Sequence, residues 1–400
     1  MTTGANKTTG QCVCERLRVG ELRSGMRRAC SEISRTGHDK ETKGIIMIMK
    51  QAKLWILAAI LTTCGVNVFT ACSSSDVEKA ADNQQHYQYL YAAEERENVT
   101  EEQRAEYAPY AWRLEFENKT GMPLNWRTSM SEFVERDLLN GYDPDYEPSR
   151  KGLDQLKVSA SSDFSALQLD TLVKEIRKLH SGPITIVDLR NETHGLINGY
   201  HVSIYGKQNW ANIGLSHETI IAEEGEQIHN TLGKQLSTVI LGSANGYQSS
   251  DSIKFDVTTA ETEAEACAKR GLGYVRLTVL DHCFTDPRSL DDFIAFVQQL
   301  PADTWLHFHC LAGRGRTTMY LVFYDFMRNP DVSEKDVIYR HYKLGGNFMY
   351  YQGDKPNEDS FKVSLAKEKA EMIPLVYKYI QENQPKGFRM SWAQWKTHFK

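Results

Sequence analysis

Apolar positions in this chain change period several times, and the changes outline an α/β domain. Ile184-Thr185-Ile186-Val187-Asp188-Leu189 is a short apolar run closed by polar residues, the pattern of a strand buried on both faces of a parallel sheet. Gly273 to Leu280 and Trp305 to Cys310 repeat it. Helical spacing fills the intervals: Thr259 to Gly271 and Ser289 to Leu300 between these strands, then Arg316 to Met327 and Ser333 to about Tyr342 after the third. Ser159 to Ser165 is expected to open a helix running to Leu179, and a closing helix spans Phe361 to Asn383 before an aromatic tail with Trp392 and Trp395. From about 195 to 250, glycines and aromatics in short alternating runs predict β structure with turns rather than helix. The expected fold is α/β, a central sheet flanked by helices over 107–400 with a β-rich insertion. Parallel strands joined by a helix end on the same sheet edge, so the residues after Leu280 and after Phe308 are expected to converge.

The first part of the chain reads differently. Residues 1–48 are polar and mixed in charge, with Cys12, Cys14 and Cys30 at no metal-site spacing. Lys50 and Lys53 then precede the run Leu54 to Leu61, and Val68-Phe69-Thr70-Ala71-Cys72 follows. A basic, then apolar, then small-residue order is that of an export signal, over 49–71, and the apolar run is short for a permanent span. Such a signal acts near an N-terminus, so translation is expected to start at Met47 or Met49, with 1–48 an upstream extension of the reading frame. The Glu/Gln-rich stretch 72–106 is expected to be a flexible tether.

Composition narrows the class. The 400 residues, net charge −5 and 41% hydrophobic content suffice for one large domain or two, and no polybasic tract points to nucleic acid. Beyond Cys72 stand Cys267, Cys283 and Cys310, an odd and sparse set that is no disulfide framework. A reversible disulfide of Cys310 with Cys283, or with Cys267, is open against free thiols.

The chemistry concentrates where the third strand meets its helix, at His309-Cys310-Leu311-Ala312-Gly313-Arg314-Gly315-Arg316-Thr317. A glycine loop there can aim the amides of Leu311, Ala312, Gly313, Arg314 and Gly315 and the positive helix end at one spot, an anion site. The lack of a Cβ at Gly313 and Gly315 opens the approach. A cysteine in that field, beside Arg314 and Arg316, is expected to hold its thiolate near neutral pH, and Arg316 can grip two phosphoryl oxygens through its fork. Transfer through a thiolate also needs a proton donor for the leaving alkoxide, later a base for water. Asp281 stands at the end of the preceding strand, with Asp286 as its rival. His307 and His309 share a strand face without a nearby cluster to complete a metal site, so no metal or other cofactor is expected. His309 is read as orienting the loop.

These residues resemble the phosphate-binding loop of the protein tyrosine phosphatase superfamily, and more closely that of the bacterial PTP-like inositol polyphosphatases, the cysteine phytases, which reads His-Cys-x-x-Gly-x-Gly-Arg-Thr-Thr. The resemblance implies a PTP-like sheet with a small partial β-barrel insertion over about 195–250, and it covers roughly 107 to 400. It implies an acid loop at Asp281-His282 and Pro287, where Phe284 and Thr285 replace the family's Trp and Pro. It implies that Arg127, in Asn125-Trp126-Arg127, lends a cation to substrate phosphate, and that Asp188, Arg190 and His194 shape the pocket. Lys343 is a further candidate contact. The segment ending at Cys72 resembles a lipobox, with Phe69 in place of the commoner Leu, which implies a lipid anchor on Cys72 and an exported protein, periplasmic or at the cell surface.

The expected reaction is attack of Cys310 on phosphorus, with Asp281 protonating the leaving oxygen and Thr317 hydrogen-bonding the sulfur as water completes hydrolysis. Arg314, Arg127 and Lys343 favour a polyanion, and together with the resemblance this makes myo-inositol hexakisphosphate and lower inositol phosphates the expected substrates. A phosphotyrosine or phosphoinositide phosphatase is the alternative enzyme, and a non-catalytic phosphate-binding protein the alternative class.

Overall fold

The computed structural model describes residues 99–241, 249–353 and 360–399. The extension 1–48, the signal-type segment 49–71, Cys72 and the tether up to 98 lie outside the described residues. The end of the expected tether is a short helix, α1 (Glu101–Ala105), closed by a reciprocal capping box between Thr100 and Gln103. Among the described residues no helix is long and apolar enough to cross a membrane.

Two sheets organise the rest. The strands are β1 (Ala111–Phe116), β2 (Arg127–Thr128), β3 (Val158–Ser162), β4 (Ile184–Asp188), β5 (His194–Ile197), β6 (Tyr200–Tyr205), β7 (Gln235–Leu241), β8 (Ser249–Asp256), β9 (Ala260–Glu261), β10 (Gly273–Arg276) and β11 (Trp305–Cys310). The five-stranded sheet has the order β10-β4-β11-β3-β2. Its first four strands are parallel and β2 is an antiparallel edge. Cys310 lies opposite Ser162, and His309 lies between Ser161 and Asp188, so the C-terminal ends of β3, β4 and β11 share one edge.

Helices cover both faces. On one side α2 (Ala166–Leu179) and α4 (Glu263–Ala268) bury Leu169, Leu172, Ile176, Ala266 and Cys267 against Ile184, Ile186 and Trp305. On the other, α5 (Pro287–Gln299) and α6 (Gly315–Arg328) pack Leu290, Phe293, Met319 and Phe323 on Phe308 and Val187. Beyond them α7 (Glu334–Lys343), α8 (Ser360–Asn383) and α9 (Trp392–Trp395) complete the larger core, with Trp392 stacked on Trp395. From Arg316 to Met327 every residue of α6 is buried, which a helix meets only when it is enclosed on all sides.

Sequence expectations change in several places: the helix read over Thr259–Gly271 is the two-residue β9 followed by the short α4, and the strand from Gly273 ends at Arg276. Of Ser159–Ser165, read above as a helix opening, residues 159–162 belong to β3, and the helix begins after the N-cap Ser165. Val-Ser-Ala-Ser-Ser lacks the apolar signature of a buried strand because its serines are satisfied by hydrogen bonds: Ser159 and Ser161 bond the two ring nitrogens of His307 at 3.0 and 3.1 Å. The β-rich insertion also contains a thirteen-residue helix, α3 (His217–His229), capped by Ser216 and burying Ile220 and Ile228. Its sheet, in the order β8-β7-β1-β6-β5-β9, takes one strand from ahead of the central sheet and has two ends, so it is not a closed barrel.

Candidate active site

The loop after β11 is fixed by its carbonyls. Leu311 O accepts from the Asp163 amide (3.1 Å), Ala312 O from Asn125 Nδ2 (2.9 Å), Gly313 O from Arg127 (2.8 Å) and Arg314 O from the Thr318 amide (2.9 Å). With the carbonyls tied outward, the amides of 311–316 make no hydrogen bond to protein among the described residues. A run of such amides leading into the first turn of α6 is suited to hold an anion. Cys310 is 3% exposed at the mouth of this ring.

Gly313 is required by the fold rather than by ligand approach. Its φ is +68°, and a Cβ there would stand 2.1 Å from the Ser161 backbone. At Gly315 a Cβ would meet only Asn347 Nδ2, at 3.9 Å. Gly313→Ala is therefore expected to lower the melting temperature and remove most activity, whereas Gly315→Ala leaves the melting temperature within a few degrees. Thermal denaturation of the pair checks this, and equal melting temperatures would contradict it.

Arg316 is buried and clamped. It donates to Glu192 Oε2 and Oε1 (2.8 and 2.9 Å), to Val279 O (3.0 Å) and to Leu189 O (3.3 Å), and its Nη2 lies 3.2 Å from Asp281 Oδ1. Its Nε is buried without a partner among the described residues, a donor left for a further acceptor. Burial works against its charge, and Asp281, Glu192 and Cys310 override that and hold it well above the usual arginine value.

Asp281 faces this guanidinium. Its Oδ1 accepts from the His282 amide (2.9 Å) and its Oδ2 from Asn209 Nδ2 (3.0 Å). Burial favours the neutral acid, but Arg316, then His282, hold the carboxyl well below the usual range. Asp286 is a helix cap: its side chain accepts from the Ser289 amide (2.8 Å) at the start of α5, away from Arg316. Of the two candidate acids, Asp281 is the one that stands against Arg316.

Beneath the loop lies a buried ionic network. His309 Nε2 is 2.9 Å from Glu263 Oε1, the first residue of α4, and His194 Nε2 is 3.1 Å from Asp188 Oδ2. Arg190 pairs with Asp163 (2.8 Å) and Arg276 with Asp188 (3.0 Å). Asp188, Arg190 and His194 thus belong to this network and are fully buried rather than lining a pocket. The absence of a nearby Asp/Glu/His cluster, expected above, is corrected here. Asp163, His194, His201 and Glu263 form one group, and Asp188, Glu263 and His309 a second, each with its ligand atoms within 4.8 Å of one another. A metal could be held by that donor set only by displacing the protons and arginines that pair it.

Burial opposes charge on both histidines. Glu263 and Asp163 raise His309 to about 9. Asp188 raises His194 to about 10 against burial and two arginines. Both values exceed the unfolded one, so protonation stabilises the fold fully below about pH 6.5 and progressively less as pH rises through 9 and 10. Urea unfolding is expected to show stability falling from pH 7 to pH 10, and a flat profile over that range would contradict the pairing.

The remaining candidates are placed as follows. Arg127 is 5% exposed and donates to Gly313 O and Asn125 O, so it supports the loop from beneath. Burial brings its pKa down to about 10, with a negative charge at Cys310 acting the other way. Lys343 pairs with Glu147 at 3.1 Å, and no contact among the described residues brings it to the loop. The expected bond from Thr317 to sulfur is not formed: its Oγ1 is buried with no partner among the described residues. Cys267 and Cys283 form no disulfide and lie in different cores, the latter with Trp210, Ile213 and Leu365, so neither is bonded to Cys310. Beside the loop a cavity of about 190 Å³ is lined by Arg314 and His282 together with Arg136, Lys362 and Lys369. Another of about 300 Å³ lies on the far flank of the acid loop, lined by His217, Leu280 and Arg288.

Glu192, Asn209 and Glu263 were missed in the sequence because each reaches the site from a distant segment. The only local signal was for Glu192, a carboxylate just after a strand end.

Comparison with known proteins agrees with this geometry. The profile of the PTP-like phytase family, described as inositol hexakisphosphate, matches residues 187–328. The solved PTP-like myo-inositol phosphatase of Mitsuokella multacida, in complex with myo-inositol-(1,3,4,5)-tetrakisphosphate, is 36% identical with a TM-score of 0.69, over 81% of this chain and 54% of that one. A PTP-like phytase of Bdellovibrio bacteriovorus is 28% identical with a TM-score of 0.56, over 72% of this chain and 95% of that one. The effector protein hopD2 of Pseudomonas syringae pv. tomato is 29% identical over 253 residues, 62% of this chain and 52% of its own. The chain spans about half the length of the Pseudomonas and Mitsuokella proteins.

Proposed function

Because the chain belongs to the PTP-like phytase family, we propose that it is a cysteine-dependent phosphatase of myo-inositol hexakisphosphate and lower inositol phosphates, working through a phosphocysteine. The Cys310 thiolate attacks phosphorus, an S–P bond forms and the P–O ester bond breaks. Asp281 gives its proton to the leaving inositol oxygen. Water then attacks the phosphocysteine, Asp281 takes the proton back, and the S–P bond breaks to release inorganic phosphate. The loop amides and Arg316 hold the equatorial oxygens throughout. Before substrate arrives Asp281 is held ionised by Arg316. A phosphate dianion on Arg316 weakens that attraction and adds negative charge beside the carboxyl, which favours the protonated acid the first step needs.

The observation that carries the substrate reading is the cavity beside the loop, where Arg314, Arg136, Lys362, Lys369 and His282 face one space. With one phosphoryl group held in the loop, further phosphates on the same ring can reach Arg314, Arg136, Lys362 and Lys369 across this space. Phosphate release from myo-inositol hexakisphosphate and from a phosphotyrosine peptide, measured side by side, tests it. Faster turnover of the inositol phosphate is expected, and turnover of the peptide alone would overturn the reading.

The signal-type segment supports an exported, lipid-anchored protein at Cys72. Intact mass of the native protein tests this, with chains that retain residues before Met47 as the contrary result.

A further inference from the structure

We infer that Asn209, held in a left-handed turn of the β-rich insertion, is the positioning residue that aims the Asp281 carboxyl at the leaving oxygen. The inference rests on the phosphatase reading above and adds to it that the insertion, as well as the phosphate loop, sets the geometry of proton transfer.

The first observation is backbone strain. Gln208 and Asn209 are consecutive non-glycine residues with φ of 60° and 69°, in a short 3₁₀ turn at Lys207–Asn209. Left-handed residues other than glycine cost free energy and persist where surrounding structure demands them, and asparagine bears the conformation best. The second is what the turn achieves. Asn209 is 4% exposed; its Nδ2 donates to Asp281 Oδ2 at 3.0 Å and also to Glu192 Oε1, while its Oδ1 accepts from Arg113 at 3.2 Å. The amide can lie only one way round, since a flip would set its oxygen against two carboxylates.

The third observation concerns the neighbour. Trp210 Nε1 donates to the Asp281 backbone carbonyl at 2.9 Å, so adjacent residues grip both the side chain and the main chain of Asp281. Trp210 also packs with Cys283, Ile213 and Leu365 in a small core behind the acid loop. His282, between Asp281 and Cys283, is itself left-handed, with φ of 66°. The other charged and titratable groups facing Asp281 are Arg316 from α6, Glu192 from the segment after β4 and His282 from its own loop. With phosphate on Arg316, the neutral donors left on the carboxyl are the His282 amide on Oδ1 and Asn209 on Oδ2, and of the two Asn209 alone reaches it from another element.

Asn209→Gly tests this, because glycine accepts the left-handed turn and removes only the amide. Activity is read on myo-inositol hexakisphosphate, whose alkoxide needs a proton, and on p-nitrophenyl phosphate, whose phenolate needs far less. The expected result is a fall in kcat of about tenfold on the inositol phosphate with KM little changed, a fall several times smaller on p-nitrophenyl phosphate, and no further fall when the change is added to Asp281→Asn. Equal losses on both substrates, or losses that multiply with Asp281→Asn, would overturn the inference. A carboxyl-carbon NMR titration gives a readout independent of turnover. Losing a donor to the charged form is expected to raise the Asp281 midpoint in Asn209→Gly, and an unchanged midpoint would overturn the inference. A wild type that hydrolyses neither substrate would sink the phosphatase reading, and the titration would then decide on Asn209 alone.

Discussion

Cys310→Ser is expected to slow phosphate release from myo-inositol hexakisphosphate by roughly 10⁴-fold or more, with the inositol phosphate still bound. The two halves of the expectation come from different atoms. Serine keeps the shape of the loop's first residue, but its hydroxyl stays protonated in the same field and cannot open the covalent route. The anion site is made by loop amides and by Arg316, whose partners Glu192, Val279 O and Leu189 O are untouched by the change. A phosphate-release assay paired with calorimetric titration reads both. Turnover within tenfold of wild type would mean that Cys310 is not the nucleophile.

Arg316→Lys carries the second large effect, a fall in kcat/KM of about 10³-fold. The guanidinium meets Glu192 through two nitrogens, stands 3.2 Å from Asp281, and keeps a buried Nε without a partner among the described residues. An ammonium offers a point charge where a planar fork is held, so it cannot keep Glu192 and grip two phosphoryl oxygens together. Because this clamp acts on the phosphoryl group, the loss is expected to be similar on myo-inositol hexakisphosphate and on p-nitrophenyl phosphate. That separates it from Asp281→Asn, whose effect follows the basicity of the leaving group. A substrate-dependent loss in Arg316→Lys would show that the arginine acts mainly through Asp281.

Contact by contact, the sequence disclosed whatever lies along one strand and its loop. Trp305 to Arg316 reads continuously because strand, glycine loop and helix are neighbours in the chain, and Asp281 follows from the rule that parallel strands end on one edge. The pairing partner of that strand was hidden. The serines of β3 look like a helix cap until His307 and the backbone are seen to absorb their hydroxyls. Helix α3 was hidden by glycine and polar neighbours that tertiary packing overrides. Arg127 was recognisable as an arginine near the site, yet its direction, into the Gly313 carbonyl, depends on the edge pairing of β2 with β3. Glu192, Asn209 and Glu263 become neighbours of Arg316, Asp281 and His309 only once the chain has folded, so no local spacing could have marked them.

The ion pairs beneath the loop also bear on how the molecule unfolds. Asp163 on His201 of β6, Asp188 on His194 of β5 and Arg190 on Glu115 of β1 tie the β-rich sheet and the five-stranded sheet together through buried charges. Opening one sheet alone would strand several of these charges in the other, a penalty of several kcal/mol each. The two sheets are therefore expected to melt as one cooperative unit, and the loop cannot be carried to a new scaffold as an autonomous cassette: a graft of 310–316 would need Glu192 and Glu263 as well, to keep Arg316 and His309 in place.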